Sequence, residues 1–426
     1  MSDSSPDQLY AAHLTTLMGR VDRALAATGF EALVVYAGRP PTLFLDDQDY
    51  PYKVNPQFKA WVPIIDNPRC ILVYSPGKRP TVLFYQPNDF WHKPAKLPQA
   101  AWTASIDLVP IDDDFKADTH WANLGRVAFI GPEAANPPAL LALLESDRAV
   151  KTPYELACMR KANELGARGH AAALAAFRRG LSEYECHMSY LEACQQREEE
   201  MPYNNIIAYN ENAAVLHYQH LERSAPAALR SFLIDAGAQY RGYAADITRT
   251  YARAPGLYAD LLQGMDAAQL ELCGEIIAGR DYREVHLTAH RILGDVLRRV
   301  GVTKLSGQAA LEEGVTSVFF PHGIGHLLGL QVHDVGGVLT ERPKGHPYLR
   351  LTRMLEPGVV VTVEPGVYFI DSLLAAAHGD ARRAHIDWAV VEELKPFGGI
   401  RIEDNVVTTG AKPENMTRDA FARAAA

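Results

Sequence analysis

Two textures of hydrophobic patterning divide the 426-residue chain. Up to about Val150, short apolar runs (EALVVYAG, RCILVYSPG, PTVLFYQ and GRVAFIG) alternate with proline-rich loops after a helix-like opening. Runs of this kind, bounded by glycine and proline, predict strands, and the whole pattern suits an α/β domain with a mixed sheet. GPEAANPPALLALLESDRAV then reads as a loop followed by a short helix. From Lys151 the apolar period lengthens. KTPYELACMRKANELGARGHAAALAAFRRG predicts a long helix with Thr152 as N-cap, Pro153 at the first helical position and Gly180 at the end. A second helix is expected over residues 182–200, opened by a capping box of Ser182 and Glu185. FLIDAGAQYRGYAADITRTY reads as a hairpin with glycine in its loop. Two further helices are expected over residues 257–278 and 282–300, then the glycine-rich HGIGHLLGLQVHDVGG and two strands around Glu364 and Glu403. AAAHGDARRAHID, within residues 371–387, reads as a polar, mobile loop at the border of this region. The expectation is an α/β (α+β) protein of two domains, residues 1–150 and 151–426.

Composition changes this picture only by exclusion. Hydrophobic content of 48% and charged content of 22% are those of a globular chain rather than a disordered one. A net charge of −9 argues against general nucleic-acid binding. No run of about 18 apolar residues appears, so no membrane span is expected. The five cysteines are odd in number and form no CxxC, which predicts reduced, packed thiols. The opening MSDSSPDQLYAAH carries neither a basic nor an apolar segment, so no signal peptide is expected and the cytoplasm is the expected compartment.

The chemistry lies in the second domain. Asp235, Asp246, Glu364 and Glu403 each sit in or beside an apolar, β-rich run, where an unpaired ionised carboxylate is costly. Like charges share such a site only when most are protonated or a cation is bound. Two divalent cations would neutralise four carboxylates, and His326 adds an imidazole. Taken singly, each residue has a bland reading. Asp235 and Asp246 lie on the two arms of the predicted hairpin and could flank a turn at a wet edge. Arg401 and Glu403 fall on one face of a strand and could form a surface ion pair. His322 and His326 are four apart, yet Gly323 and Gly325 oppose a helix and the HExxH glutamate is absent, so a mononuclear zinc helix is excluded. Three histidines threaded through glycines (His322, His326 and His333) instead suggest a site where backbone approaches closely. Oxygen-rich ligation with one imidazole favours Mn²⁺, with Co²⁺ and Zn²⁺ as alternatives.

The ordered series of Asp, Asp, His, Glu and Glu, carried by LIDAGAQYRGYAADITRTY, PHGIGHLLGLQVHDVGG, TVEPGVYF and GGIRIEDN, resembles the "pita-bread" metallopeptidases. Within them it is most similar to the bacterial prolidases, the Xaa-Pro dipeptidases, and FLDDQDYPYKVNPQFKAWVP in the first domain is similar to the matching prolidase stretch. The resemblance implies a creatinase-like N-terminal domain and a pita-bread catalytic domain. It implies that Asp246 and Glu403 bridge two ions, that Asp235 completes one, and that His326 with Glu364 completes the other. A water or hydroxide between the ions would attack, Glu364 would carry the proton, and His333 and His322 would stabilise the intermediate. Arg401 with His217 would hold the proline carboxylate, and Tyr203 and Tyr282 are candidate pocket walls or packed core tyrosines. The family also implies a homodimer in which Asp46 or Asp47 of one subunit approaches the substrate amine bound by the other. The competing expectations are an aminopeptidase P acting on longer peptides and, from a different class, a non-catalytic peptide-binding module.

Overall fold

The computed structural model describes residues 4–425. The chain divides into two compact units, one running to Cys158 and including the hairpin tip Tyr240–Tyr243, the other covering Met159–Gln239 and Ala244 onward.

The N-terminal unit is built on one five-stranded sheet. Its strands are β1 (Ala32–Tyr36), β2 (Ile71–Tyr74), β3 (Thr81–Tyr85), β4 (Asp107–Ile111) and β5 (Val127–Ile130), in the spatial order β4-β3-β2-β1-β5. Pairing is mixed: β1 is antiparallel to β2 and parallel to β5, and β3 is parallel to β4. The four apolar runs supply β1, β2, β3 and β5. The sequence reading missed β4, whose Asp107 and Pro110 disguise it; it is an edge strand, where proline is tolerated. Val34, Ile71, Val73 and Leu83 form the core on one face.

The second unit holds small antiparallel sheets among long helices. The helix Pro153–Arg178 opens with Thr152 and Glu155 capping each other's backbone N–H groups. The next helix, Glu183–Cys194, has the expected Ser182–Glu185 capping box. It stops six residues short of the expected end: Gln195 takes a left-handed conformation (φ 55°), and Glu198–Glu200 form a separate 3-10 turn. The two later helices span Leu257–Gly274 and Tyr282–Arg299.

Strands β6 (Ile206–Tyr209), β7 (Ser231–Asp235) and β10 (Thr248–Ala252) form one antiparallel sheet in the order β10-β7-β6. Between β7 and β10 lies a small hairpin of β8 (Gln239–Tyr240) and β9 (Tyr243–Ala244). Strands β11 (Val360–Val363), β14 (Asp404–Val407) and β15 (Glu414–Asn415) form a second sheet, and β12 (Gly366–Tyr368) pairs with β13 (Gly399–Arg401). The expected strand through Glu403 is therefore two short strands, with Ile402 and Glu403 at the crossing. Residues 371–387 are not the loop expected from their polarity. They form the helix Asp371–His378 and a 3-10 turn, Ala381–His385, capped by Asp380, with buried Leu374 and Ala377 anchoring the helix.

Candidate metal centre and active site

Five segments of the second unit converge on one buried cluster. Asp235 ends β7 directly opposite Thr248 of β10. Asp246 lies two residues before β10, in the return arm of the predicted hairpin. That return is tight: a Cβ on Gly237 would sit 2.1 Å from the Ala245 carbonyl oxygen, so only glycine fits. Thr248 in turn bridges Glu403, joining the β7–β10 hairpin to the β13–β14 crossing.

His326 arrives on an extended segment laid along β11. Its N–H donates to Thr362 Oγ1, and its carbonyl accepts from Thr362 N at 3.0 Å. Close approach again depends on glycine, because Gly325 has φ 157° and a Cβ there would lie 2.1 Å from the Thr362 carbonyl oxygen. Glu364 follows β11, its N–H donating to the Ile324 carbonyl. The result places His326 Nε2 3.4 Å from Asp246 Oδ2 and 3.7 Å from Glu364 Oε1. One ligand atom each from Asp246, His326 and Glu403 lies within 4.8 Å of the others.

Hydrogen bonds fix the direction in which each donor points. His326 Nδ1 donates to the Leu327 carbonyl at 3.0 Å, so Nε2 is the nitrogen turned towards the carboxylates and the one placed to ligate a metal once it gives up any proton. Tyr203 donates to Asp235 Oδ1 at 2.8 Å, and Arg401 Nη2 donates to Asp235 Oδ2 at 2.6 Å. Thr248 Oγ1 donates to Glu403 Oε2 at 2.8 Å, whereas Glu403 Oε1 is buried without a hydrogen-bond partner among the described residues.

The charges do not balance. Burial raises the Asp235 carboxyl, and Arg401 pulls it only part of the way back. Burial pushes Glu364 up to about 7 and raises Glu403 well above the usual carboxylate range, with the neighbouring acids adding to both. For Asp246 the penalty of burial is outweighed by His326, and its pKa falls. The donor set, the orphaned Glu403 oxygen and the oriented Nε2 of His326 all fit divalent cations, which would replace the protons these acids otherwise hold.

Around the acids sit the expected helpers. His322 Nδ1 donates to the Gly323 carbonyl at 2.8 Å, so Nε2 accepts from the Tyr368 hydroxyl at 2.8 Å. Both ring nitrogens are thereby engaged, and burial lowers its pKa to about 3. The expectation that His322 itself stabilises an intermediate meets this obstacle: the neutral ring has no N–H left to donate. His333 is exposed, with its ring 4.4 Å from that of His326 and nearly perpendicular to it. His217 is exposed and lies close enough to His322 and His333 to influence both electrostatically. Tyr282 is fully buried and donates to the Thr362 carbonyl at 2.8 Å, so it belongs to the frame beneath Gly325 and offers no face to a ligand. Asp46 and Asp47 lie in the N-terminal unit, on an exposed turn where Asp46 Oδ1 accepts the N–H groups of Asp47 and Gln48.

Two residues of this network were missed by sequence reasoning. Tyr368 links His322 to Arg401, accepting from Arg401 Nη1 at 3.0 Å. Thr248 joins Glu403 to Arg401, whose Nε donates to Thr248 Oγ1 at 3.2 Å. A hydroxyl in a strand gives little signal, although Tyr368 does stand four residues after Glu364 in the same motif.

Residues 8–146 match the family described as Xaa-Pro dipeptidase, N-terminal domain, and residues 157–410 match metallopeptidase family M24. An Xaa-Pro dipeptidase of Xanthomonas campestris pv. campestris (strain B100) is 51% identical over 439 residues, covering 99% of this chain and 100% of the relative. The chain belongs to metallopeptidase family M24, among the Xaa-Pro dipeptidases. An Xaa-Pro dipeptidase of Stenotrophomonas maltophilia (strain K279a) is 50% identical over 445 residues, with 100% of both chains covered. For an M24 member the fold is the expected one. The Pseudomonas aeruginosa aminopeptidase PepP superposes with a TM-score of 0.74 at 23% identity, covering 97% of this chain and 98% of its own. Zinc-substituted E. coli aminopeptidase P in complex with product gives 0.72 at 24% identity, with 95% of both chains covered. At that identity these two carry the two-domain, pita-bread architecture and nothing finer.

Proposed function

We propose that this M24 metallopeptidase hydrolyses Xaa-Pro dipeptides to release free proline, and that the acidic cluster around Asp246 is its catalytic centre. The observation that carries this reading is the buried excess of carboxylate, with Glu403 Oε1 lacking a donor among the described residues. In this assignment Asp235, Asp246, His326, Glu364 and Glu403 would together hold two divalent ions, with Asp246 and Glu403 shared between them. Mn²⁺ is the first choice for so oxygen-rich a donor set, with Co²⁺ and Zn²⁺ as alternatives. Once bound, the ions supply a Lewis acid for the scissile carbonyl and acidify a water towards neutrality as nucleophile.

The chain's own residues do the rest. Glu364, whose carboxyl titrates at about 7 without metal, accepts a proton at a carboxylate oxygen and returns it to the departing prolyl nitrogen. His333 offers an N–H to the developing oxyanion. His322 acts through Tyr368, holding its hydroxyl against Arg401. Three N–H groups of Arg401 go to Asp235, Tyr368 and Thr248, leaving two of five for the proline carboxylate, beside His217. Tyr203 orients Asp235.

A homodimer completes the reading, in which Asp46 or Asp47 of the partner subunit meets the substrate amine. The same hairpin exposes Phe44 (88%) and Leu45 (90%), apolar surface that a second subunit would cover. Five buried, free cysteines support a reducing, cytoplasmic setting. No helix among the described residues is long and apolar enough to cross a membrane.

The test is substrate length and end group. Met-Pro should be cleaved, Met-Pro amide should lose roughly ten- to a hundredfold in kcat/KM with its carboxylate contact gone, and Met-Pro-Gly should be poorer still. Preference for the tripeptide would replace the dipeptidase reading with that of an aminopeptidase.

A further inference from the structure

A second group of potential ligands lies away from the carboxylates. His286 and His290 are four apart on the helix Tyr282–Arg299, so both imidazoles leave one face, and His346 joins them from the loop after His333. The three rings form a near-equilateral triangle with centroids 4.6–4.7 Å apart. One nitrogen from each lies within 4.8 Å of the others.

The hydrogen bonding is that of ligands held in readiness. His290 Nδ1 is fixed by Thr316 Oγ1 at 2.8 Å, the outer-sphere contact that orients a metal-binding imidazole. His290 Nε2 and His286 Nδ1 are buried with no hydrogen-bond partner among the described residues, in side chains only 1% exposed. His286 Nε2 and His346 Nδ1 share a hydrogen bond of 2.9 Å. A buried polar nitrogen without a partner is costly, and a cation held by the three rings removes that cost at His290 Nε2. Burial lowers His286 to about 2 and His290 to about 3, so both rings are neutral at pH 7, as ligation requires.

We propose that His286, His290 and His346 form a separate, imidazole-only centre that takes one Zn²⁺ ion. Zinc–nitrogen bonds of about 2.0–2.1 Å place tetrahedral ligands roughly 3.3 Å apart, so the triangle closes inwards on loading. His346, half-buried on its loop, is the arm that moves. A set with no carboxylate favours Zn²⁺ over Mn²⁺, the reverse of the acidic centre. The ion staples the His346 segment to the helix. That segment also packs against the glycine-rich segment that carries His322 and His326, since a Cβ on Gly323 would lie 3.0 Å from Leu349 Cα.

The test is metal stoichiometry by equilibrium dialysis of the full-length protein, metal-stripped and then offered Zn²⁺ or Mn²⁺ alone. Wild type should hold one more Zn²⁺ than Mn²⁺ per chain. His346→Ala should lose that one Zn²⁺, keep its Mn²⁺ content, and lose the Zn²⁺-specific part of the rise in Tm. His346→Gln, which keeps bulk and polarity, guards against misfolding and should behave like His346→Ala. Asp246→Asn should retain the histidine-bound Zn²⁺, so failure of the acidic centre would be seen separately. Equal Zn²⁺ binding by wild type and both His346 variants would overturn the proposal, as would equal Zn²⁺ and Mn²⁺ stoichiometry in wild type.

Discussion

Glu403 and Asp404 are adjacent, equally buried acids that solve the same problem in opposite ways. Asp404 Oδ1 accepts from Arg249 Nη2 at 2.6 Å, and Oδ2 accepts from Arg418 Nε and Asn415 Nδ2, each at 2.8 Å. Burial alone would raise its pKa, but the two guanidiniums outweigh that and pull it down to about 2. Glu403 has one hydroxyl donor, an orphaned oxygen and three carboxylate neighbours, and its pKa is driven far up. Burial is common to both and so marks neither as functional. The difference is the missing cationic partner: Asp404 is a closed structural ion cluster, while Glu403 belongs to a set that is complete only with an external cation.

Breaking each side of the pair should therefore give different losses. The largest is expected at the open centre: Asp246→Asn should lower kcat/KM for an Xaa-Pro dipeptide on the order of 10³-fold, with urea stability of the metal-free protein little changed. On the closed side, Asp404→Asn leaves Arg249 without a counter-charge in the interior and should cost about 3 kcal/mol by urea titration. The folded fraction at low temperature should still bind metal. A smaller effect belongs to Thr248→Val, which removes the hydroxyl that donates to Glu403 and should weaken metal binding roughly ten- to a hundredfold with little loss of stability.

Two pH responses sharpen the contrast. The folded pKa of Asp404 is about 2, below that of an unfolded aspartate. Its contribution is therefore present above pH ~4 and lost as pH falls towards 2. The stability gap between wild type and Asp404→Asn should close over that window. At the acidic centre burial and the neighbouring acids push Glu364 up to about 7 without metal and raise Glu403 well above the usual carboxylate range, so loading at pH 6.5 must expel protons. Calorimetric titration of metal-stripped protein at pH 6.5, in buffers of different ionisation enthalpy, should show net proton release, and affinity should rise with pH. A buffer-independent heat would contradict the raised carboxyls.

Much of this was legible in the residues. Acids in or at the end of apolar strand runs pointed to Asp235, Glu364 and Glu403, because an apolar run fixes burial and burial makes the charge conspicuous. Glycines beside histidines foretold the close backbone approach at Gly325. The supporting hydroxyls of Thr248 and Tyr368 were not legible, since their partners lie across strand crossings that a linear pattern does not reveal. His286 and His290 did carry an i, i+4 signal on an expected helix, but His346 lies 56 residues further on and only folding brings it near. The polarity of residues 371–387 misled because short helices need few buried positions, here Leu374 and Ala377.

The central claim is that the carboxylate excess around Glu403 is completed by divalent metal and cleaves Xaa-Pro bonds. The most direct measurement is proline release from Met-Pro by metal-stripped protein, with and without added Mn²⁺, for wild type and Asp246→Asn. A rate that appears with Mn²⁺ in wild type and stays absent in Asp246→Asn is the predicted result. Equal rates with and without divalent ions, or an Asp246→Asn enzyme as fast as wild type, would contradict it.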